Sequence, residues 1–203
     1  MQLRDAITRR RMVRRFDADR DLPADVLGRI LELAPRAPSA GFSQGFDFVV
    51  LRGGERAAFW AASADGGAPD AWLRGVSSAP VLIVCCSDRG AYLDRYAEPD
   101  KPWPDRSETH WPAPYWDVDT GMAAMLMLLG AVDEGLGGLF FGVPVERLTA
   151  VREALAIPQD RGVVGVIALG YAESDAPSGS TRKRRRRPLS EIVHAGRFGT
   201  PWT

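Results

Sequence analysis

The stretch DVDTGMAAMLMLLGAVDEGLGGLFFGV, residues 117–143, decides the fold. From 117 to 134 its apolar side chains (Val118, Met122, Ala123, Met125, Leu126, Met127, Leu128, Leu129, Ala131, Val132) fall on nearly every side of a helical period. Such a helix has to be buried almost all round, either in a core or against another subunit. Gly135, Gly137 and Gly138 stop it, and 139–143 then reads as a short strand. A buried helix turned by glycines into a strand places the chain in a mixed α/β class.

The alternation continues in both directions. Residues 1–15 read as a short helix and a basic turn, and Pro23 opens a second helix that runs to 35 on Val26, Leu27, Ile30 and Leu31. A loop rich in turn formers, 37–45, leads into a strand at 46–51, and a helix follows at 55–62. After a Gly/Pro/Asp loop and the segment 71–76, the run Val81-Leu82-Ile83-Val84-Cys85-Cys86 reads as a buried strand. Downstream, 146–155 is a helix, 162–170 a third buried strand and 173–181 a polar linker. Periodicity fails between 98 and 116, where Pro99, Pro102, Pro104, Pro112 and Pro114 alternate with Trp103, Trp111, Tyr115 and Trp116. Long loops of this kind act as lids or binding loops, or pack as surface loops. With no repeat and no break, 1–203 reads as one domain, with an aromatic loop at about 99–116 and a C-terminal arm at about 182–203.

Bulk properties narrow the function. The 26 basic and 26 acidic residues cancel, which argues against a general nucleic-acid binder. No apolar run approaches the ~20 residues of a membrane span. The N-terminus meets charge at once, without a signal-peptide core, so the cytoplasm is the expected address. Cys85 and Cys86 are adjacent and would face opposite sides of a strand, which suits neither a disulfide nor a zinc site. The sequence offers no carboxylate pair, nucleophile triad or metal cluster.

Two arginine clusters stand at opposite ends, 9–15 and 182–187. Each is a solvated patch, or the second a nucleic-acid or targeting tract; taken together they would make a phosphate site, since guanidinium offers a planar and permanently charged fork. Arg10-Arg11-Met12-Val13-Arg14-Arg15-Phe16 is similar to the Arg-Arg-Ser-x-Arg-x-Phe motif of the nitroreductase family. Ala37-Pro38-Ser39-Ala40-Gly41-Phe42-Ser43-Gln44-Gly45-Phe46 resembles that family's Ala-Pro-Ser-x-x-Asn-x-Gln-Pro-Trp segment. Gly135-Leu136-Gly137 with Phe141-Gly142, the strand ending Leu169-Gly170-Tyr171, and Arg184-Arg185-Arg186-Arg187-Pro188-Leu189 resemble three later elements in the same order.

The resemblance implies an α+β, nitroreductase-like fold with a central, mainly antiparallel sheet flanked by helices, in an intertwined homodimer with FMN at the interface. It implies that Arg10, Arg14 and Arg186 grip the phosphate and ribityl chain, supported by Arg11 and Arg184, with Met12 in the same motif. Arg74 would lie near the flavin pyrimidine, and Pro38, Ser39, Ala40 and Gln44 along the ring, from the partner subunit. Phe141 and Gly142 would present backbone groups near N5. Phe42, Trp103, Trp111 and Tyr115 would form a substrate lid.

The implied activity is a ping-pong cycle in which hydride passes from NADH or NADPH through the flavin to an electron-poor aromatic, a quinone or a similar small-molecule acceptor. A deazaflavin is an alternative donor. Met12 stands where the family has serine, and Phe42 where asparagine is common. A flavin-storage protein, or an enzyme that fragments FMN to dimethylbenzimidazole, is the alternative. His110 reads as a bystander, His194 as structural, and Met122, Met125 and Met127 as packing.

Overall fold

Val81, Ile83 and Cys85 point to one side of a strand and Leu82, Val84 and Cys86 to the other, and all are buried. A strand buried on both faces needs a sheet covered on both faces. The computed structural model describes residues 1–64, 68–173 and 184–202, and builds that sheet. Strands β1 (Phe46–Arg52), β2 (Val81–Asp88), β3 (Gly137–Phe141) and β4 (Arg161–Gly170) pair antiparallel in the order β1-β2-β4-β3. Among the described residues the helices are α1 (Leu3–Arg9), α2 (Ala24–Leu31), α3 (Glu55–Ser63), α4 (Ala71–Ser77), α5 (Arg89–Tyr96), α6 (Tyr115–Asp133), α7 (Leu148–Ala154) and α8 (Leu189–Ile192).

Two cores follow from the alternation. On one face Val81, Ile83, Ile167 and Leu169 meet Ala123, Ala124, Met127 and Leu128 of α6 and Leu27 and Ile30 of α2. On the other, Leu82, Val84, Val166 and Ala168 meet Phe59 of α3, Val76 of α4 and Val151 of α7. Gly165 is needed where it stands, because a Cβ there would lie 2.3 Å from the ring of Phe140 on the neighbouring strand. The α+β class and the antiparallel sheet expected from the sequence are both present.

Some boundaries differ. Gly137 and Gly138 belong to β3 and do not stop the helix; the turn is carried by Gly135 at φ 75°. Strand β3 ends at Phe141, so Gly142 and Val143 lie beyond it. Tyr115 opens α6 and is not part of the aromatic loop. Helix α5 was not expected: only Tyr92 of its residues is buried, so it carries almost no apolar period, and its start is fixed by Asp88 accepting from Ala91 N–H at 3.2 Å. The helix at 146–155 begins as a 3-10 turn, Val145–Arg147, before α7. The linker 174–181 and the basic residues 182–183 lie outside the described residues.

All-round burial of α6 holds only toward the sheet. Val118 and Met125 are 46% and 43% exposed, and with the half-buried Met122 and Leu129 they form one apolar stripe at helical spacing. None of the helices is long and apolar enough to cross a membrane, among the described residues.

Removing the Ile83 side chain from between the sheet and α6 leaves a cavity. Ile83→Ala is expected to cost about 2–5 kcal/mol in denaturant unfolding. Burial pushes the thiol of Cys86 up to about 11 and that of Cys85 further. Both are therefore expected to ignore a disulfide reagent at pH 8 until the protein unfolds.

Candidate active site

The first arginine cluster follows α1 and runs along the free edge of β3. Met12 makes a parallel bridge to Gly138, and Val13 N–H donates to the Gly138 carbonyl at 3.0 Å. Two glycines permit the fit. A Cβ on Gly137 would lie 2.7 Å from the Val13 side chain, and one on Gly75 of α4 would lie 2.3 Å from the Arg14 carbonyl oxygen. The segment is therefore wedged between β3 and the helix that carries Arg74. Arg10 is half-buried, and its Nη1 is buried without a hydrogen-bond partner among the described residues. Burying such a donor without an acceptor is costly, so the position calls for one. Arg14 Nη1 donates to the Met12 carbonyl at 3.4 Å. The Met12 sulfur accepts from Phe140 N–H at 3.5 Å, so this side chain is turned toward the strand. Arg15 turns outward to Glu173 at 2.6 Å. Arg74 is exposed and donates to the Pro69 carbonyl.

Beyond the same strand lies a cavity of about 320 Å³, walled by α3, α4 and the residues after β3. Phe141 and Gly142 line it with Trp60, Trp72 and Asp70. Trp60 lies parallel to Phe141 at 5.9 Å and 6°, and Trp72 meets Phe141 edge-on at 5.5 Å. Trp60 Nε1 is buried without a partner among the described residues. Asp70 caps α4 by accepting from Leu73 N–H at 2.7 Å. The walls are flat and apolar, a form suited to planar ligands.

A second group of expected residues hangs from the opposite edge strand, β1. The loop before it carries Pro38, Ser39, Ala40, Phe42 and Gln44, with positive φ at Gly41, Phe42 and Gln44 (62°, 57° and 51°). Ser39 Oγ accepts from Gln44 N–H at 3.0 Å, and Phe42 is 73% exposed. The aromatic loop packs beside it. The Tyr96 ring lies against Gly41 and stacks on Trp103 at 5.0 Å, and Trp103 stacks in turn on His110. Trp111 touches Tyr96, Trp103 and Tyr115. Much of the aromatic surface expected in a lid is thus in contact with itself.

One chain therefore gathers Arg10, Arg11, Met12, Arg14, Arg74, Phe141 and Gly142 along β3, and Pro38, Ser39, Ala40, Phe42, Gln44, Trp103, Trp111 and Tyr115 beside β1. These are opposite edges of the sheet. Arg184 and Arg186 are exposed on the C-terminal arm, and among the described residues no hydrogen bond or ion pair joins them to the members of either group.

The sequence profile of the nitroreductase family matches residues 7–171. The chain belongs to that family. A relative in Methanothermobacter thermautotrophicus, named "Putative NADH dehydrogenase/NAD(P)H nitroreductase", is 30% identical over 175 residues, which cover 84% of this chain and 78% of the relative. A Thermus thermophilus relative named NADH dehydrogenase is 30% identical, with 95% of each chain covered. The structure of a Desulfovibrio desulfuricans protein in complex with FMN has a TM-score of 0.72 at 24% identity and covers 98% of each chain. A family member from Clostridium difficile has a TM-score of 0.72 at 22% identity, with 98% of this chain and 100% of the other covered. The fold is the nitroreductase fold, and the family places the chain among oxidoreductases.

Sequence reading missed Trp60 and Trp72 beside Phe141, and Asp119, whose buried carboxylate accepts from Ala40 N–H at 2.8 Å. The signal for Asp119 was available: Asp119 and Thr120 are buried polar residues in an otherwise apolar helix.

Gly75→Ala is expected to push the Arg14 backbone away from α4 at about 1–3 kcal/mol of stability. Hydrogen exchange checks this. The Val13 amide should lose protection, whereas strand amides of β2 keep theirs.

Proposed function

We propose that the chain is an FMN-dependent oxidoreductase, working as a homodimer and fed by a reduced nicotinamide. The observation that carries the reading is Arg10, a half-buried guanidinium whose inner N–H lacks an acceptor, on the strand edge that leads to Phe141 and Gly142. A phosphate supplies the missing acceptor. Arg10 and Arg14 hold that phosphate, with Arg11 beside them. Arg74, on the adjoining α4, faces the pyrimidine end, where a cation favours the anionic reduced ring. Phe141 and Gly142 offer backbone groups to the reactive edge of the ring, and glycine lets the main chain come close.

The rest of the site is supplied by a second copy. Pro38, Ser39, Ala40 and Gln44 of one chain cover the ring held by the other, which accounts for their place on the opposite edge of the sheet. The dimer reading is supported by the uncovered apolar stripe of α6 and by an apolar groove of about 300 Å³ between Leu3, Ala6, Leu33, Leu126 and Leu129. It is also supported by the C-terminal arm, where Leu189, Phe198 and Trp202 are 66%, 94% and 59% exposed. Packed on a partner, the arm would carry Arg184 and Arg186 toward the phosphate.

FMN, when bound, would supply two-electron hydride chemistry between NADH or NADPH and an electron-poor aromatic or quinone. The protein's own part is to orient donor and acceptor in turn over one ring face and to exclude water. Trp60, Trp72 and Phe141 give a flat apolar wall for such acceptors, and the lid role belongs to Phe42, Trp103, Trp111 and Tyr115.

Titration with FMN is expected to reach one flavin per chain, and NADH or NADPH should bleach it within seconds. A bound flavin that neither donor nor a reduced deazaflavin bleaches would make this a storage protein. Arg10→Met is expected to weaken FMN binding at least about tenfold. The same change removes a buried unpaired donor, so the FMN-free variant should melt no lower than the parent. Unchanged FMN affinity in Arg10→Met would remove the basis of the assignment.

A further inference from the structure

We infer that Asp119 and Tyr92 are positioning residues, a buried carboxylate–phenol pair that fixes both ends of the 40–45 loop against the cofactor site. The inference rests on the flavin reading above, which lays that loop along the ring. Asp119 is 2% exposed and Tyr92 fully buried. One carboxylate oxygen, Oδ2 of Asp119, accepts from the Tyr92 hydroxyl at 2.8 Å and from Ala40 N–H at 2.8 Å. At the other end the Gly45 backbone packs directly on the Tyr92 ring, and its carbonyl accepts from Asp88 N–H at 2.9 Å. The first residue of the loop is thus bonded to Asp119 on α6, and the last is packed on Tyr92 of α5, which the same carboxylate holds.

The span between those ties needs holding. Phe42 and Gln44 both sit in the left-handed region at φ 57° and 51°, where a residue with a side chain costs roughly 1–2 kcal/mol. Gly41 shares that region at φ 62° and lies under the Tyr96 ring, where a Cβ would come within 2.7 Å. Its carbonyl accepts from Arg95 Nε at 3.0 Å. Gly45 is equally close: a Cβ there would lie 2.6 Å from the Tyr92 ring and 2.6 Å from the Asp88 carbonyl. Left unclamped, a loop with such backbone angles would relax. Clamped, it holds Ser39 and Gln44 in one arrangement and turns Phe42 outward, 73% exposed, toward whatever covers this edge.

A carboxylate fits this role because it is an acceptor only, with room on one oxygen for two donors. The pair sits on α6 and α5, away from the arginines that would hold the phosphate. Its loss should loosen contacts to the ring and leave phosphate binding largely intact. That division separates positioning from catalysis and from bulk stability.

The experiment compares Tyr92→Phe, Asp119→Leu and Asp119→Asn in the FMN-loaded protein. Amide exchange is read over 38–46, and NADH-driven reduction of 1,4-benzoquinone gives KM and kcat. Tyr92→Phe and Asp119→Leu are expected to speed loop exchange and raise the benzoquinone KM about tenfold, with kcat changed less than about twofold. They should also shift the visible spectrum of bound flavin. Asp119→Asn, whose amide oxygen can still accept both donors, should lie close to the parent. Fast loop exchange with an unchanged KM and spectrum would make the pair purely structural and overturn the inference. Unchanged exchange in Tyr92→Phe and Asp119→Leu would overturn the clamp itself. A parent protein that takes up no FMN sinks the flavin reading, and with it the use assigned to the clamp, while the exchange data still show whether the clamp exists.

Discussion

A strand at the edge of a sheet presents unpaired main-chain groups, and β3 meets that constraint by taking the segment after α1 as its neighbour. The contact is narrow, Met12 beside Gly138 with one hydrogen bond from Val13, yet it sets where the amino-terminal arginines go. It continues as Phe16 bridges Ala172 and Asp17 N–H reaches the Tyr171 carbonyl, so the segment follows β4 past its end. With Gly75 letting α4 close against Arg14, the chain near Arg10 has little freedom left. A guanidinium held there loses water before it finds an acceptor, which is how a fold builds a place for an anion.

The sheet order has a second consequence. With β1 and β3 at opposite edges, the two groups of candidate residues cannot share a pocket within one chain, yet both carry features of a site. Helix α6 connects them. One side fills the core, its first turns hold the loop before β1 through Asp119, and its remaining stripe of Val118, Met122, Met125 and Leu129 is apolar without cover. On the proposed reading that stripe faces a second copy, and the same helix that stabilises each chain aligns the two halves of each site.

Much of this was legible in the residues. The continuous apolar run Val81 to Cys86 announced an inner strand, and the apolar run of α6 announced a helix packed into the core. The arginine cluster and the Ala37-Pro38-Ser39 segment carried the family resemblance. What escaped was whatever depended on contacts distant in sequence. Helix α5 is nearly polar and reveals itself only through the Asp88 cap and the burial of Tyr92. Gly137 and Gly138 read as a helix stop, but they are strand residues kept small by Val13 and by Leu128. Trp60 and Trp72, twelve positions apart in separate helices, become one wall only when Phe141 comes between them.

The central claim is that each site draws on two chains, the arginine edge of one and the loop before β1 of the other. Subunit complementation tests it most directly. A heterodimer is purified by two different tags, one chain carrying Arg10→Met and the other Ala40→Glu, each of which should weaken flavin binding at least about tenfold in both sites of its own homodimer. In the mixed dimer the Ala40→Glu chain still offers Arg10 and the Arg10→Met chain still offers an intact loop. The account predicts one tightly bound FMN per heterodimer. Weakened binding at both sites, with no flavin held at the parent affinity, would mean that the two groups serve one chain and would contradict the account.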